Sequence, residues 1–172
     1  MKKPLGFTHD NVKNISVDWY TPSWIFEKLN IEFDLDPCHP SEKISWIPAK
    51  KTISLPDDGL VSIWEGMVWL NPPYGKYTGD WLKKMHDHRC GIALVFARTD
   101  CLWYHNYVAK SDAILYLKGR IGFVDGLGLT RGSGAGCGSI LVAWGDTAVE
   151  ALIGMSNLGD LNIKNFQFSD LI

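Results

Sequence analysis

The sequence predicts an α/β fold: one domain built on a mostly parallel, three-layer sheet. Three observations carry this. The chain has 172 residues, enough for one domain with a real core. Short apolar runs alternate with amphipathic stretches, the pattern of strands alternating with helices. The run "GIALVFAR" is continuously apolar, as in a strand covered on both faces.

The elements follow in order. Residues 1–16 are polar and aperiodic and read as an N-terminal arm; residues 17–172 read as a single domain. "TPSWIFEKLN" reads as a helix, with Thr21 as its cap, Pro22 in its first turn, and Trp24, Ile25 and Leu29 on one face. In "IEFDLDP" the alternation of Ile31, Phe33 and Leu35 predicts a strand ending at Asp36 and Pro37. Pro40, Pro48 and Pro56 break up residues 38–65, which read as loop with one short strand around "KTISL". "GMVWLN" is a buried strand. "GDWLKKMHDHRC" is a helix with Trp81, Leu82 and Met85 inward.

After the strand "GIALVFAR" come a helix in "CLWYHNYVAKS", capped by Asp100, with His105 packed, and a strand in "DAILYLKG". The glycine-rich stretch "DGLGLTRGSGAGCGS" reads as a flexible hairpin loop or as a segment that orders on a partner. "ILVAWG" is the hairpin's returning strand. Thr147 and Glu150 have the spacing of a capping box for "AVEALIGM", and "LNIKNFQF" reads as an edge strand.

Composition limits the function classes. A net charge of −2 argues against a protein that coats nucleic acid through bulk positive charge. Local cationic stretches remain, in "KYTGDWLKKMHDHR", in "LKGR" and at Arg131; each reads as a solvated face or a phosphate contact. Eight tryptophans is a high count, and some can serve as flat binding surfaces. Cys38, Cys90, Cys101 and Cys137 match no zinc or disulfide spacing, which fits a reducing cytoplasm. No signal-peptide pattern appears, and no apolar run approaches the ~18 residues of a membrane span.

The chemistry centres on "WLNPPYGKY" at residues 69–77. In an open α/β sheet, ligands bind beyond the carboxyl ends of the strands. Asp36 and Asn71 both fall at such ends, 35 residues apart, room for a short crossover between them. Pro72 and Pro73 lack an amide hydrogen and fix φ, so the corner is stiff. It aims two acceptors, the Asn71 amide and the Pro72 carbonyl, which suit an NH2 group. Tyr74 adds an aromatic face. The corner is therefore either a strand-ending turn or a slot for a planar amine such as adenine N6. That nitrogen's lone pair is delocalised; two acceptors on its hydrogens favour a more tetrahedral, nucleophilic nitrogen. Holding it in line with an electrophile can lower a barrier by up to ~7–11 kcal/mol. A base in duplex DNA would have to flip out to reach the slot.

Six short motifs occur in order: "WYTP" (19–22), "FDLDPC" (33–38), "DGL" with Trp64 (58–64), "NPPYG" (71–75), "ARTD" with Trp103 and His105, and "KGRIGF" (118–123). Over residues 17–145 the chain resembles the compact DNA N6-adenine methyltransferases of phages and prophages. The resemblance implies a compact, Rossmann-like S-adenosylmethionine-dependent methyltransferase sheet, mostly parallel with an antiparallel terminal hairpin. It implies transfer of a methyl group to N6 of a flipped-out adenine in double-stranded DNA, by a cytoplasmic monomer or homodimer off the membrane.

By the same resemblance Asn71, Pro72, Pro73 and Tyr74 are catalytic. Asp36, Pro37 and Cys38 meet the cofactor's amino or ribose end. Tyr20, Thr21 and Pro22 flank its methionine moiety, and Asp58 bonds its ribose or adenine. Lys76, Arg98, Arg120 and Arg131 are the candidate nucleic-acid contacts. No metal is implied, and Cys38 with His39 makes no metal site. The glycine-rich loop that larger methyltransferases carry after the first strand is replaced here by "DPCHP".

The core occupies nearly the whole chain, so base readout falls to residues 39–57, 74–80 and 125–138. The competing readings are a methyltransferase for RNA adenine or protein glutamine, and a non-catalytic module that binds S-adenosylmethionine or nucleic acid.

Overall fold

A computed structural model describes residues 20–40, 46–125, 128–129 and 135–164. The N-terminal arm, Arg131 and the end of the tail lie outside the described residues. The elements run α1 (Ser23–Leu29), β1 (Phe33–Asp36), β2 (Ala49–Thr52), β3 (Val68–Leu70), α2 (Thr78–His88), β4 (Gly91–Phe96), α3 (Leu102–Asn106), β5 (Ala113–Leu117), β6 (Ser139–Trp144), α4 (Asp146–Gly154) and β7 (Gly159–Ile163). The strands form one mixed sheet in the order β2-β1-β3-β4-β6-β5-β7.

Alternate strand residues feed two separate cores, one on each face of the sheet. Trp69, Ile92, Leu94, Leu115 and Leu141 pack with Ile25, Phe26 and Leu29 of α1 and Val149 and Leu152 of α4. Val68, Leu70, Ala93, Val95 and Val142 pack with Trp81, Leu82 and Met85 of α2. The inward face expected of α2 is therefore the observed one, and the helix–sheet–helix layering is as expected.

Strand directions depart from the expectation. β2-β1, β1-β3 and β3-β4 are parallel, but β4-β6, β6-β5 and β5-β7 are antiparallel. The hairpin of β5 and β6 forms, yet β6 lies between β4 and β5 instead of extending the sheet outward. Burial explains the choice. All six residues of β6 are buried, so it needs a neighbour on each side. β7, whose residues alternate between half-buried and more exposed, suits the edge.

Several local expectations are corrected. Thr21 does not cap α1; the cap position is Pro22, with no side-chain bond. Trp24 is among the exposed residues, and Phe26 takes its place on the buried face. The short strand expected around "KTISL" is present but begins two residues earlier, at Ala49–Thr52, where Phe33 pairs with Ala49. Neither Asp100 nor Thr147 caps a helix: Cys101 and Gly145 hold those positions without side-chain bonds. His105 is exposed, with Tyr104 edge-on to its ring.

The alternation of Phe33 and Leu35 also fails. The amides of Asp34 and Leu35 both point to the Met67 carbonyl, at 2.7 and 3.3 Å. This bulge-like irregularity puts Phe33 and Leu35 in opposite cores.

The cationic stretch around α2 is spent on structure. Lys83 pairs with Asp87 at 2.5 Å, and Arg89 grips Asp112 through two bonds of 2.6 and 2.8 Å. Lys84 donates to the carbonyls of Gly59, Leu60 and Ser62 and lies over the Trp64 ring. Burial holds its ammonium below the usual lysine pKa, against the opposing pull of Asp58.

Leu82 is fully buried between α2 and the sheet. We expect Leu82→Ala to cost about 2–5 kcal/mol of unfolding free energy, read by chemical denaturation.

Candidate functional site

The carboxyl ends of β1, β3 and β4 lie side by side because these strands are parallel neighbours. β5 runs the same way as β4, since both are antiparallel to β6. One rim therefore gathers Asp36–His39, Asn71–Tyr74, Phe96–Arg98, residues 118–120 and the segment leading into β6.

The turn after β1 is braced by the chain after β2. Ile53 donates its amide to the Asp36 carbonyl at 2.8 Å and accepts the His39 amide at 2.9 Å. The Asp36 carboxylate is only 2% exposed. One oxygen accepts the Cys38 amide at 3.3 Å, and the other meets His39 Nδ1 at 2.8 Å. Desolvation raises the Asp36 pKa, and the bond to His39 opposes that rise. The "DGL" turn packs directly behind: a Cβ on Gly59 would sit 1.9 Å from the Pro37 carbonyl oxygen. Trp64 Nε1 donates to the Gly59 carbonyl at 2.8 Å and fixes the turn.

The corner after β3 is tied to the first turn. Cys38 Sγ donates to the Asn71 backbone carbonyl at 3.1 Å. Burial pushes the Cys38 thiol pKa well up, so it remains a donor. Pro72 is buried and Pro73 exposed. The Thr78 hydroxyl closes the corner onto α2: it donates to the Pro73 carbonyl at 3.1 Å and accepts the Gly75 amide at 3.0 Å.

Tyr74 lies flat on Phe96, with ring centroids 3.9 Å apart and planes 14° off parallel. Its hydroxyl is 3.4 Å from Asn71 Oδ1. The residue as a whole is 42% exposed. Desolvation, then Cys137 and Cys38, raises its pKa far above the usual phenol range.

The arginines complete the rim. Burial raises the Cys137 thiol pKa, and the charges of Arg98 and then Arg120 oppose it. Arg98 and Arg120 follow the carboxyl ends of β4 and β5, which run the same way. Arg120 also donates to the Ala135 carbonyl at 3.1 Å.

Asp36, Pro37, Cys38, Asn71, Pro72, Pro73, Tyr74, Arg98 and Arg120 are therefore brought together. Of the "WYTP" motif, residues 20–22 are described. Tyr20 is 2% exposed and bridges to Val124, and Trp46 Nε1 donates to the Thr21 carbonyl at 2.9 Å. Asp58 is exposed, and its carboxylate accepts the Leu60 amide of its own turn at 2.8 Å. Lys76 lies over the Tyr77 ring instead of pointing into the rim.

Sequence reasoning passed over Thr78, Phe96 and Cys137 as builders of the site. Phe96 was within reach of the carboxyl-end rule, since it closes the most apolar strand. Nothing local marks the other two.

One comparison decides the family. The family model described as DNA N-6-adenine-methyltransferase (Dam) matches residues 8–166. The chain belongs to this family. The Dam name carries DNA adenine N6 methylation, and the matched span takes in every described strand of the sheet. Searches of curated proteins and of solved structures returned no match. No helix among the described residues is long and apolar enough to cross a membrane.

In this Dam-family chain the Gly59–Pro37 approach holds the β1 turn in place. Gly59→Ala is expected to cost about 1–3 kcal/mol of stability, because the atom it meets is backbone and cannot swing away. A thermal melt that matches the unaltered protein would show that the turn can yield.

Proposed function

We propose that the chain transfers a methyl group from S-adenosylmethionine to N6 of an adenine flipped out of double-stranded DNA, on a Rossmann-like methyltransferase sheet. The observation that carries this is the Asn71–Tyr74 corner, braced on three sides at the rim of a Dam-family chain: by Cys38 on its carbonyl, by Thr78 on its far end, and by Phe96 under Tyr74.

The first two segments suit the cofactor. Thr21 Oγ1 and His39 Nε2 are buried and have no hydrogen-bond partner among the described residues. Buried polar atoms are rarely left so unless a ligand or water meets them. Residues 20–22 and 36–39 would hold the cofactor, with Asp58 beside them. S-adenosylmethionine supplies a methyl group on a positive sulfonium sulfur.

The protein's own part is placement. The adenine ring would stack on the face of Tyr74 away from Phe96. Asn71 Oδ1 and the Pro72 carbonyl would accept the two hydrogens of N6, so the amide oxygen must exchange the Tyr74 hydroxyl for the base. N6 would then be held with its lone pair available to the cofactor's methyl group. Transfer would leave neutral S-adenosylhomocysteine, and the methylated N6 would release its proton to water. Arg98 and Arg120, exposed on the rim, would contact the flanking phosphates, with Lys76 and Arg131 as further candidates.

Stiffness is why the prolines matter: a loose corner would spend binding energy on ordering Asn71. The test uses labelled S-adenosylmethionine and adenine-containing duplex DNA. Asn71→Ala is expected to lower methyl transfer roughly a hundredfold or more, the scale of losing one aimed polar group, while S-adenosylhomocysteine still binds. Wild-type protein that binds cofactor but methylates no DNA would overturn the proposal; methyl transfer to RNA or to glutamine peptides instead would reassign the substrate. Phe96→Ala is expected to lower kcat more than cofactor affinity, because it frees Tyr74 without touching the first turn.

A further inference from the structure

We propose that His39, not Asp36, is the side chain that meets the cofactor beyond β1, with Asp36 a positioning residue that acts through it. This rests on S-adenosylmethionine being the cofactor, as proposed above.

Asp36 has little left to offer a ligand. It is 2% exposed, one oxygen accepts the Cys38 amide and the other is engaged with His39 Nδ1. His39 lies three residues on in the same turn, and it is held from both directions. Its amide is fixed on the Ile53 carbonyl at 2.9 Å, and its ring is fixed on Asp36 at 2.8 Å. The side chain is 4% exposed, yet Nε2 has no partner among the described residues. A buried ring nitrogen is rarely left unpaired, which points to a ligand or water atom opposite it.

Chemistry narrows that atom. An ionised Asp36 selects the tautomer with its proton on Nδ1, leaving the lone pair on Nε2. Nε2 is then an acceptor. The matching donors on S-adenosylmethionine are its ribose hydroxyls and its methionine ammonium. The pair works as a carboxylate does behind a metal-binding histidine, fixing the ring's orientation.

Calorimetric titration with S-adenosylhomocysteine tests this on wild type, His39→Ala, Asp36→Asn and the double variant. His39→Ala is expected to weaken binding by about tenfold or more, the scale of one polar contact. Asp36→Asn is expected to weaken it comparably, because an amide no longer selects the tautomer. The double variant is expected to bind no more weakly than His39→Ala, since Asp36 acts through His39. Additive losses would mean that Asp36 touches the cofactor directly and would overturn the proposal, as would unchanged binding by a folded His39→Ala protein.

A second readout needs no variant to fold. In 15N-histidine-labelled wild-type protein the His39 Nε2 resonance is expected to shift on adding S-adenosylhomocysteine. An unmoved resonance while calorimetry shows binding sinks the inference alone. A wild-type protein that binds no cofactor sinks both it and the function proposed above.

Discussion

The lateral register of β1 against β3 is the constraint on which the site depends. Leu35 opposite Val68 sets the two carboxyl-end turns side by side, so that Cys38 reaches the Asn71 carbonyl. That contact reports the register more than it enforces it. A thiol is a weak donor, and even an ordinary hydrogen bond nets only about 0.5–1.5 kcal/mol. Fully burying a side chain such as Leu70 or Val68 contributes about 1.5–3 kcal/mol, and β3 buries all three of its residues. The apolar faces hold the strands, and the polar turns are carried into place by them.

The site's stiffness has a similar origin. Pro72 and Pro73 stiffen the corner locally, but its direction comes from outside. Thr78 binds it to the start of α2, whose Trp81, Leu82 and Met85 anchor the helix on the sheet. Phe96 closes β4 and supports Tyr74 from beneath. A movement of α2 or β4 would therefore reach Asn71 through two separate contacts. The "DGL" turn plays the same part for the first corner, wedged between Pro37, Trp64 and Lys84.

Much of this was legible in the chain. The inward residues of α2, the apolar β4 and the paired corners at Asp36 and Asn71 follow from period and proline chemistry, which act within a few residues. The failures have physical causes as well. Thr21 looks like a helix cap, yet its hydroxyl is buried with no hydrogen-bond partner among the described residues. Phe33 and Leu35 alternate in sequence, but the shared bond to Met67 turns them to opposite faces. The basic run on α2 read as a solvated face or a phosphate contact; Lys84 and Arg89 are instead taken by carbonyls and by Asp112.

By itself the sequence determined the strand and helix alternation and the stiff Asn-Pro-Pro-Tyr corner. These rest on backbone sterics and side-chain periodicity, which are local. Only the tertiary structure decided that β6 lies between β4 and β5, because a hairpin can pair on either side and burial of all six residues makes the choice. It alone placed Phe96 under Tyr74, tied Arg120 to the Ala135 carbonyl, and locked Asp36 onto His39. Most of those partners are far apart in the chain, and even Asp36 and His39, three residues apart, meet as they do only because Ile53 braces their turn.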